Sequence, residues 1–238
     1  MNHYIFLIMS QKVIYDGNPD AYNGLIESGY VFRMGDYINR GWEIFKQYPG
    51  GFIGFGFLSI LLGGVGGMVP FVGVGVMYSL TAGYFIVADK IAKGESYEFG
   101  DFFKGFDHFL QLMIAGVLIQ VFAGVGILLL IIPGIYLAVA YSMVVPLIVL
   151  GKLEFWPAME VSRKVISRNW WMFFLFGIVT GILASLGIIA LIIGILITLP
   201  LYYTMAYAAY EDIFAPVHED AADMIGQIGE DAGDDPAH

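Results

Sequence analysis

Charged side chains are missing from three long stretches of the chain, residues 47–88, 109–151 and 169–210. As a single helix, a run of about 40 residues would be about 60 Å long, because each residue adds about 1.5 Å. The hydrocarbon core of a bilayer is only about 30 Å thick. Each run is therefore predicted to fold back on itself, which gives an all-α membrane protein with six transmembrane helices in three hairpins.

Turn-forming residues lie near the middle of each run, at 63–70, 124–134 and 194–200. Proline has no N–H and is well suited to the first turn of a returning helix, where that donor would have no partner. The alternative is a proline kink within one continuous span. The candidate hairpin-turn residues are Pro70, Pro133, Gly134 and Pro200.

The same prolines indicate an internal repeat, because they are 63 and 67 residues apart. A short segment with helical amphipathic periodicity precedes each run, so the repeating unit is predicted to be an amphipathic helix followed by a hairpin. The predicted pseudo-repeats are about 34–94, 95–153 and 154–214. A polar segment at 1–33 precedes them, with Met9 as an alternative start to Met1.

Acidic residues dominate the end of the chain, at 215–238. This tail offers little apolar surface to offset the entropy cost of ordering, so it is predicted to be disordered when the protein is alone.

The three amphipathic segments are predicted to lie in the membrane interface with their apolar side in the lipid. The second shows the pattern most clearly, because its phenylalanines recur at helical spacing while Asp101, Lys104 and Asp107 take the other side. Ten of the eleven Lys and Arg residues lie in or beside these segments, and the hairpin turns carry none. Since basic loops stay in the cytoplasm, both termini are predicted to be cytoplasmic, in a bacterial inner membrane.

The third amphipathic segment is the best candidate for a functional surface. Three bases near a negatively charged leaflet would contribute about 3 kcal/mol of attraction, at about 1 kcal/mol each. The face is predicted to bind anionic lipid headgroups or an acidic segment of a partner, the chain's own tail being one candidate. The alternative is that the bases only set the topology. The residues concerned are Arg163, Lys164, Arg168, Trp170 and Trp171.

The composition agrees with a membrane protein. Of the 238 residues, 58% are hydrophobic and 13% charged, with a mean hydropathy of +0.75, which is more apolar than a soluble domain of this size. The net charge of −10 comes from the C-terminal end, since nine of the 21 acids and no Lys or Arg follow residue 209. A nucleic-acid partner is not expected.

Catalytic and metal-binding patterns are weak. The three runs contain no ionisable residue of the kind that pumps use at membrane depth. The chain has no cysteine, and its four histidines lack the i, i+4 spacing of a metal site. Asp101, Asp107 and His108 share one helix face and form the single candidate for lipid hydrolysis, but such a face is usually only solvated. Neither an enzymatic activity nor a cofactor is predicted.

Small residues four apart, at Gly63 and Gly67 and again at Gly177, Gly181 and Ser185, predict close helix packing.

Several longer motifs carry a family resemblance. They are "GDFFKGF" at 100–106, "IPGIYLAVAYSM" at 132–143 and "AMEVSRKVISRNWWMF" at 158–173. With these motifs, residues 35–214 resemble an uncharacterised family of bacterial six-span membrane proteins, a domain of unknown function. That family is distantly similar to the membrane domain of glycerophosphodiester phosphodiesterases. The resemblance implies the same six-span fold and supplies no catalytic residues.

These observations favour a non-enzymatic membrane protein that acts as a scaffold, assembly factor or accessory subunit of a membrane complex, and organises lipid around it. A protein partner or a second copy of the chain is expected. The alternative is a transporter or flippase for an apolar or lipid-like solute, which needs no charge within the membrane.

Overall fold

A computed structural model describes residues 17–66, 69, 71–189, 192–215 and 217. All regular structure in these residues is helical, which confirms the prediction of an all-α protein. A 3₁₀ turn, Pro19–Tyr22, comes first. It is followed by α1 (Asn23–Ser28), α2 (Met34–Gln47), α3 (Pro49–Gly66), α4 (Val72–Ala92), a 3₁₀ helix (Phe99–His108), α5 (Phe109–Leu129), α6 (Ile131–Ala140), α7 (Val144–Val149), α8 (Phe155–Arg168), α9 (Trp170–Ile189) and α10 (Ile192–Ile213).

Three helical stretches in the described part are long and apolar enough to cross a membrane: Val72–Ala92, Phe99–Leu129 and Ile131–Val149. A fourth is added if α8 and α9, which meet at an angle of 96°, are taken as one bent span. The apolar stretch Pro49–Gly64 in α3 is shorter. Length and composition therefore support a membrane protein with three or four spans, and six spans stay a prediction.

The second hairpin turns where the sequence places its turn residues. A single residue, Leu130, separates α5 from α6, and Pro133 lies in the first turn of α6. Gly134 lies so close to α5 that a methyl group there would be 2.5 Å from the backbone nitrogen of Ile127. Only glycine fits this approach, because any side chain would push the two helices apart. In the first hairpin, Pro70 falls outside the described residues.

The third predicted turn residue, Pro200, is not in a turn. It lies inside α10, eight residues beyond Ile192, the first residue of that helix. The Thr198 hydroxyl donates a hydrogen bond to the carbonyl oxygen of Ala184 at 3.0 Å, so α9 and α10 pack side by side as an antiparallel hairpin. Membrane helices tolerate an internal proline when neighbouring helices surround it. Pro200 is thus an internal residue of α10 and not a hairpin-turn residue.

The amphipathic segments are helical, and many of their apolar side chains pack against protein. In α2, Tyr37 and Ile44 are buried, and the helix packs on α10. Phe102 of the 3₁₀ helix is fully buried beside the rings of Phe55, at 4.4 Å between centroids, and Phe52, at 5.4 Å. An amphipathic sequence period predicts only that one face of the helix is shielded from water. Whether lipid or protein covers that face depends on the tertiary structure.

Helix α8 runs antiparallel along α6. The Ser162 hydroxyl donates to the carbonyl oxygen of Ala140 at 2.7 Å, and one turn further on the hydroxyls of Ser167 and Tyr136 hydrogen-bond at 2.6 Å. Helix α8 thus packs along α6 and meets α9 at an angle of 96°.

Candidate functional site

The basic face of α8 points away from the protein because the other face of the helix is used for packing. Met159, Val165 and Ile166 are buried, whereas Lys164 and Arg168 are exposed. The packing thus fixes which side of α8 is available to a ligand.

Two of the three predicted bases share one acid. Arg163 lies 3.5 Å and Lys164 lies 3.0 Å from the same oxygen of Glu160. Arg168 makes no ion pair with any residue that the structure describes. The sequence predicts three bases that attract anionic lipid, but the negative charge of Glu160 offsets the charge of one of them. The expected attraction to a negatively charged leaflet is therefore about 2 kcal/mol rather than about 3 kcal/mol.

The two tryptophans have different surroundings. Trp170 donates a hydrogen bond from Nε1 to the carbonyl oxygen of Tyr136 at 3.2 Å and stacks on Phe174 with ring centroids 5.0 Å apart. It therefore joins α6 to the corner between α8 and α9. Trp171 is 69% exposed and is the one of the pair that can contact lipid freely. The candidate site comprises Arg163, Lys164, Arg168 and Trp171, and Trp170 has a structural role.

A crevice opens between α6 and α10. Two cavities of about 330 Å³ and 280 Å³ share four lining residues: Ala138 from α6, Ser142 from the turn after α6, and Tyr202 and Ala206 from α10. The first cavity is also lined by residues of α4 and α5, and the second by residues of α9. Both cavities are thus halves of one crevice. Sequence patterns did not indicate it, because its walls come from six helices, α4, α5, α6, α7, α9 and α10.

Tyr141 links the crevice to the basic face. It lines the larger cavity, and it also lines a small cavity beneath α8 together with Glu160 and Arg163. A molecule in the crevice and a headgroup on α8 would therefore be close neighbours.

Other bases are paired within the protein. Arg33 lies 2.8 Å from Asp212, and Arg40 makes two hydrogen bonds of 3.0 Å and 2.8 Å to Glu211. The Tyr37 hydroxyl donates to Asp212 at 2.7 Å. Burial, together with the negative charge of Asp212, raises the pKa of Tyr37. These contacts hold α2 on the end of α10.

The weak hydrolase candidate does not form a site. Asp101 is 1% exposed and lies between two ammonium groups, 2.9 Å from Lys90 and 2.6 Å from Lys104, whereas Asp107 is exposed to the outside. Asp101 also accepts a hydrogen bond from the backbone nitrogen of Glu98 at 2.9 Å, which caps the 3₁₀ helix. Its carboxylate thus has a structural role. Among the described residues, no group of three His, Asp or Glu side chains is placed to hold a metal ion.

Comparison with protein-family models, with curated proteins and with solved structures finds no match to this chain. The family resemblance therefore rests on the motifs alone. Two of those motifs meet at the features described above: residues 132–143 form one wall of the crevice, and residues 158–173 form the corner between α8 and α9.

Proposed function

We propose that this protein is a non-enzymatic integral membrane protein that binds anionic phospholipid at the corner between α8 and α9, and that it organises lipid as a scaffold or accessory subunit of a membrane complex. The observation that carries the proposal is the 96° angle at this corner. If α9 crosses the bilayer, α8 lies almost in the membrane plane. Its bases and Trp171 are then at headgroup depth, where such residues bind lipid.

Packing holds the helix backbone at the corner in place. α8 is packed on α6 and α7, and Trp170 is hydrogen-bonded to α6. A cationic face on a packed helix has less backbone freedom to lose when a phosphate group binds. The same surface would accept an acidic segment of a protein partner or of a second copy of the chain.

We propose six crossings with both termini in the bacterial cytoplasm. This topology is testable because the chain has no cysteine, so single introduced cysteines can be labelled without background labelling of native residues. Cysteine at Val69 or Leu130 is expected to react with a membrane-impermeant maleimide from outside the cell. Cysteine at Ser96 is expected to react only after the inner face is exposed. Labelling of Ser96→Cys from outside would show the opposite orientation. Protection of Leu130→Cys from both sides would show that the second hairpin is a re-entrant loop.

The triple variant Arg163→Gln/Lys164→Gln/Arg168→Gln is expected to insert normally and to lose anionic lipid. A loss of about 2 kcal/mol corresponds to roughly 30-fold weaker binding. Retained phosphatidylglycerol is measured by native mass spectrometry after purification in mild detergent. Glu160→Gln is expected to have the opposite effect, because it frees two bases.

Two controls separate headgroup binding from topology. Lys46→Gln/Lys93→Gln removes exposed bases from other segments and should leave bound lipid unchanged. Arg163→Lys/Arg168→Lys keeps the charge and should retain most of it. If wild type and the triple variant retained equal amounts of phosphatidylglycerol, the bases would have only a topological role.

A second candidate function, transport of a lipid-like solute, is favoured by the crevice between α6 and α10. Transport requires the crevice to open in turn toward each leaflet. Transfer of a fluorescent lipid between the leaflets of proteoliposomes would support it, and transfer no faster than in protein-free vesicles would exclude it.

A further inference from the structure

We propose that the crevice between α6 and α10 binds an uncharged amphiphile with hydroxyl or carbonyl oxygens next to hydrocarbon, of which a diacylglycerol is the representative. This site is distinct from the anionic-lipid site on α8. Both walls supply small side chains, Ala138 of α6 with Ser142 of the following turn on one side and Ala206 of α10 on the other, so the crevice is left unfilled where the two walls face each other.

The larger half of the crevice is lined with hydroxyl groups. They belong to Tyr78, Thr81, Tyr141, Ser142, Tyr202 and Tyr203. Thr81 and Tyr203 hydrogen-bond each other at 3.4 Å. The hydroxyls of Tyr78, Tyr141 and Tyr202 have no hydrogen-bond partner among the described residues.

Unpaired hydroxyls are costly in a low-polarity environment, because water that would solvate them is scarce there. A ligand with two or three oxygen atoms would pair these groups. The hydroxyl and ester carbonyls of a diacylglycerol have this chemistry, since hydroxyls of tyrosine can both donate and accept.

The smaller half is apolar. Apart from the shared residues, it is lined by Ile127, Ile135, Val139, Met143, Phe173, Phe176 and Gly177. This half suits hydrocarbon, and it adjoins the hydroxyl-lined half through the four shared residues. One amphiphile lying across both halves would place its oxygen atoms in the hydroxyl-lined half and its hydrocarbon in the apolar half.

Charge decides between neutral and ionic ligands. Among the residues that the structure describes, no charged side chain lines either half. A phosphate placed there would be desolvated without a compensating charge, which is strongly unfavourable. The volumes of about 330 Å³ and 280 Å³ are those of small-molecule sites. The crevice therefore selects against phospholipid headgroups, which the bases of α8 attract.

The test uses the full-length protein in nanodiscs of zwitterionic lipid. A diacylglycerol with a photoactivatable diazirine in one acyl chain is added, and the labelled residues are mapped by mass spectrometry. Labels are expected on α6 and α10 around the crevice and should be displaced by unlabelled dioleoylglycerol. Photoactivatable phosphatidylglycerol should not label these positions.

Variants distinguish a specific binding site from non-specific contact with lipid. Ala206→Phe fills the space between the walls and should abolish crevice labelling. Tyr141→Phe and Tyr202→Phe keep the shape but remove one hydroxyl each, and should weaken labelling about five- to tenfold, as expected for one hydrogen bond. Val121→Phe, which adds the same ring to the exposed face of α5, should change nothing.

The triple glutamine variant of α8 should also leave diacylglycerol labelling unchanged, so this proposal and the proposed anionic-lipid function fail independently. Labelling spread evenly over all lipid-facing helices, or crevice labelling that persists in Ala206→Phe, would overturn the proposal. Equal labelling of the crevice by phosphatidylglycerol would overturn the inferred selectivity for an uncharged ligand.

Discussion

Alanine in place of Gly83 or Gly105 is expected to lower the free energy of unfolding by about 3 kcal/mol or more, the upper end for an overpacked core. A methyl group on Gly83 would overlap the carbonyl oxygen of Phe102, and one on Gly105 would overlap that of Ser79. Both obstacles are backbone atoms, so no side-chain rotation relieves them. The loss is measured as a fall in the midpoint of thermal unfolding in detergent.

Gly64→Ala and Gly181→Ala are the matched controls. A methyl group at either position meets no described atom within 4 Å. They are expected to leave stability unchanged or raise it slightly, because alanine suits a helix better than glycine does. If all four variants lost the same stability, the close approach of α4 to the 3₁₀ helix would not be the cause.

Asp101→Ala is expected to be the most damaging substitution of a charged residue, with a loss of about 3 kcal/mol. Removing one partner of a buried ion pair costs about 3–5 kcal/mol. The lower end applies here because Lys90 and Lys104 are 22% and 52% exposed and regain water. The substitution also removes the cap on the backbone nitrogen of Glu98. Thermal unfolding in detergent measures the loss.

Asp101→Asn separates the two contributions, because an amide oxygen can still cap the 3₁₀ helix while the charge is gone. Its stability should lie between wild type and Asp101→Ala. Glu43→Gln breaks a salt bridge to Lys46 in which both side chains are exposed, and such pairs contribute about 0–1 kcal/mol. An Asp101→Ala variant no less stable than Glu43→Gln would show that the buried carboxylate is dispensable.

The four-residue spacing of Gly177, Gly181 and Ser185 does not correspond to a close helix contact at either glycine. This spacing predicted close helix packing, but methyl groups on Gly177 and Gly181 would meet no described atom within 4 Å. Gly177 instead lines the crevice. Close approaches to backbone atoms occur instead at Gly83 and Gly105. Gly83 has the same spacing with Gly75 and Ser79, whereas Gly105 has no small residue four positions away. Spacing identifies a small-residue face on a helix, but not whether a second helix occupies it.

The sequence by itself determined that the protein is a helical membrane protein, where its amphipathic helices lie, and where the second hairpin turns. These properties follow from the local order of apolar, charged and turn-forming residues, which acts within a few helical turns. Only the tertiary structure decided that Pro200 stays inside a helix, that Arg33 and Arg40 pair with Asp212 and Glu211, and that a crevice separates α6 from α10. Each of these depends on groups that are far apart in the chain, and no local pattern records which distant surface a residue will meet.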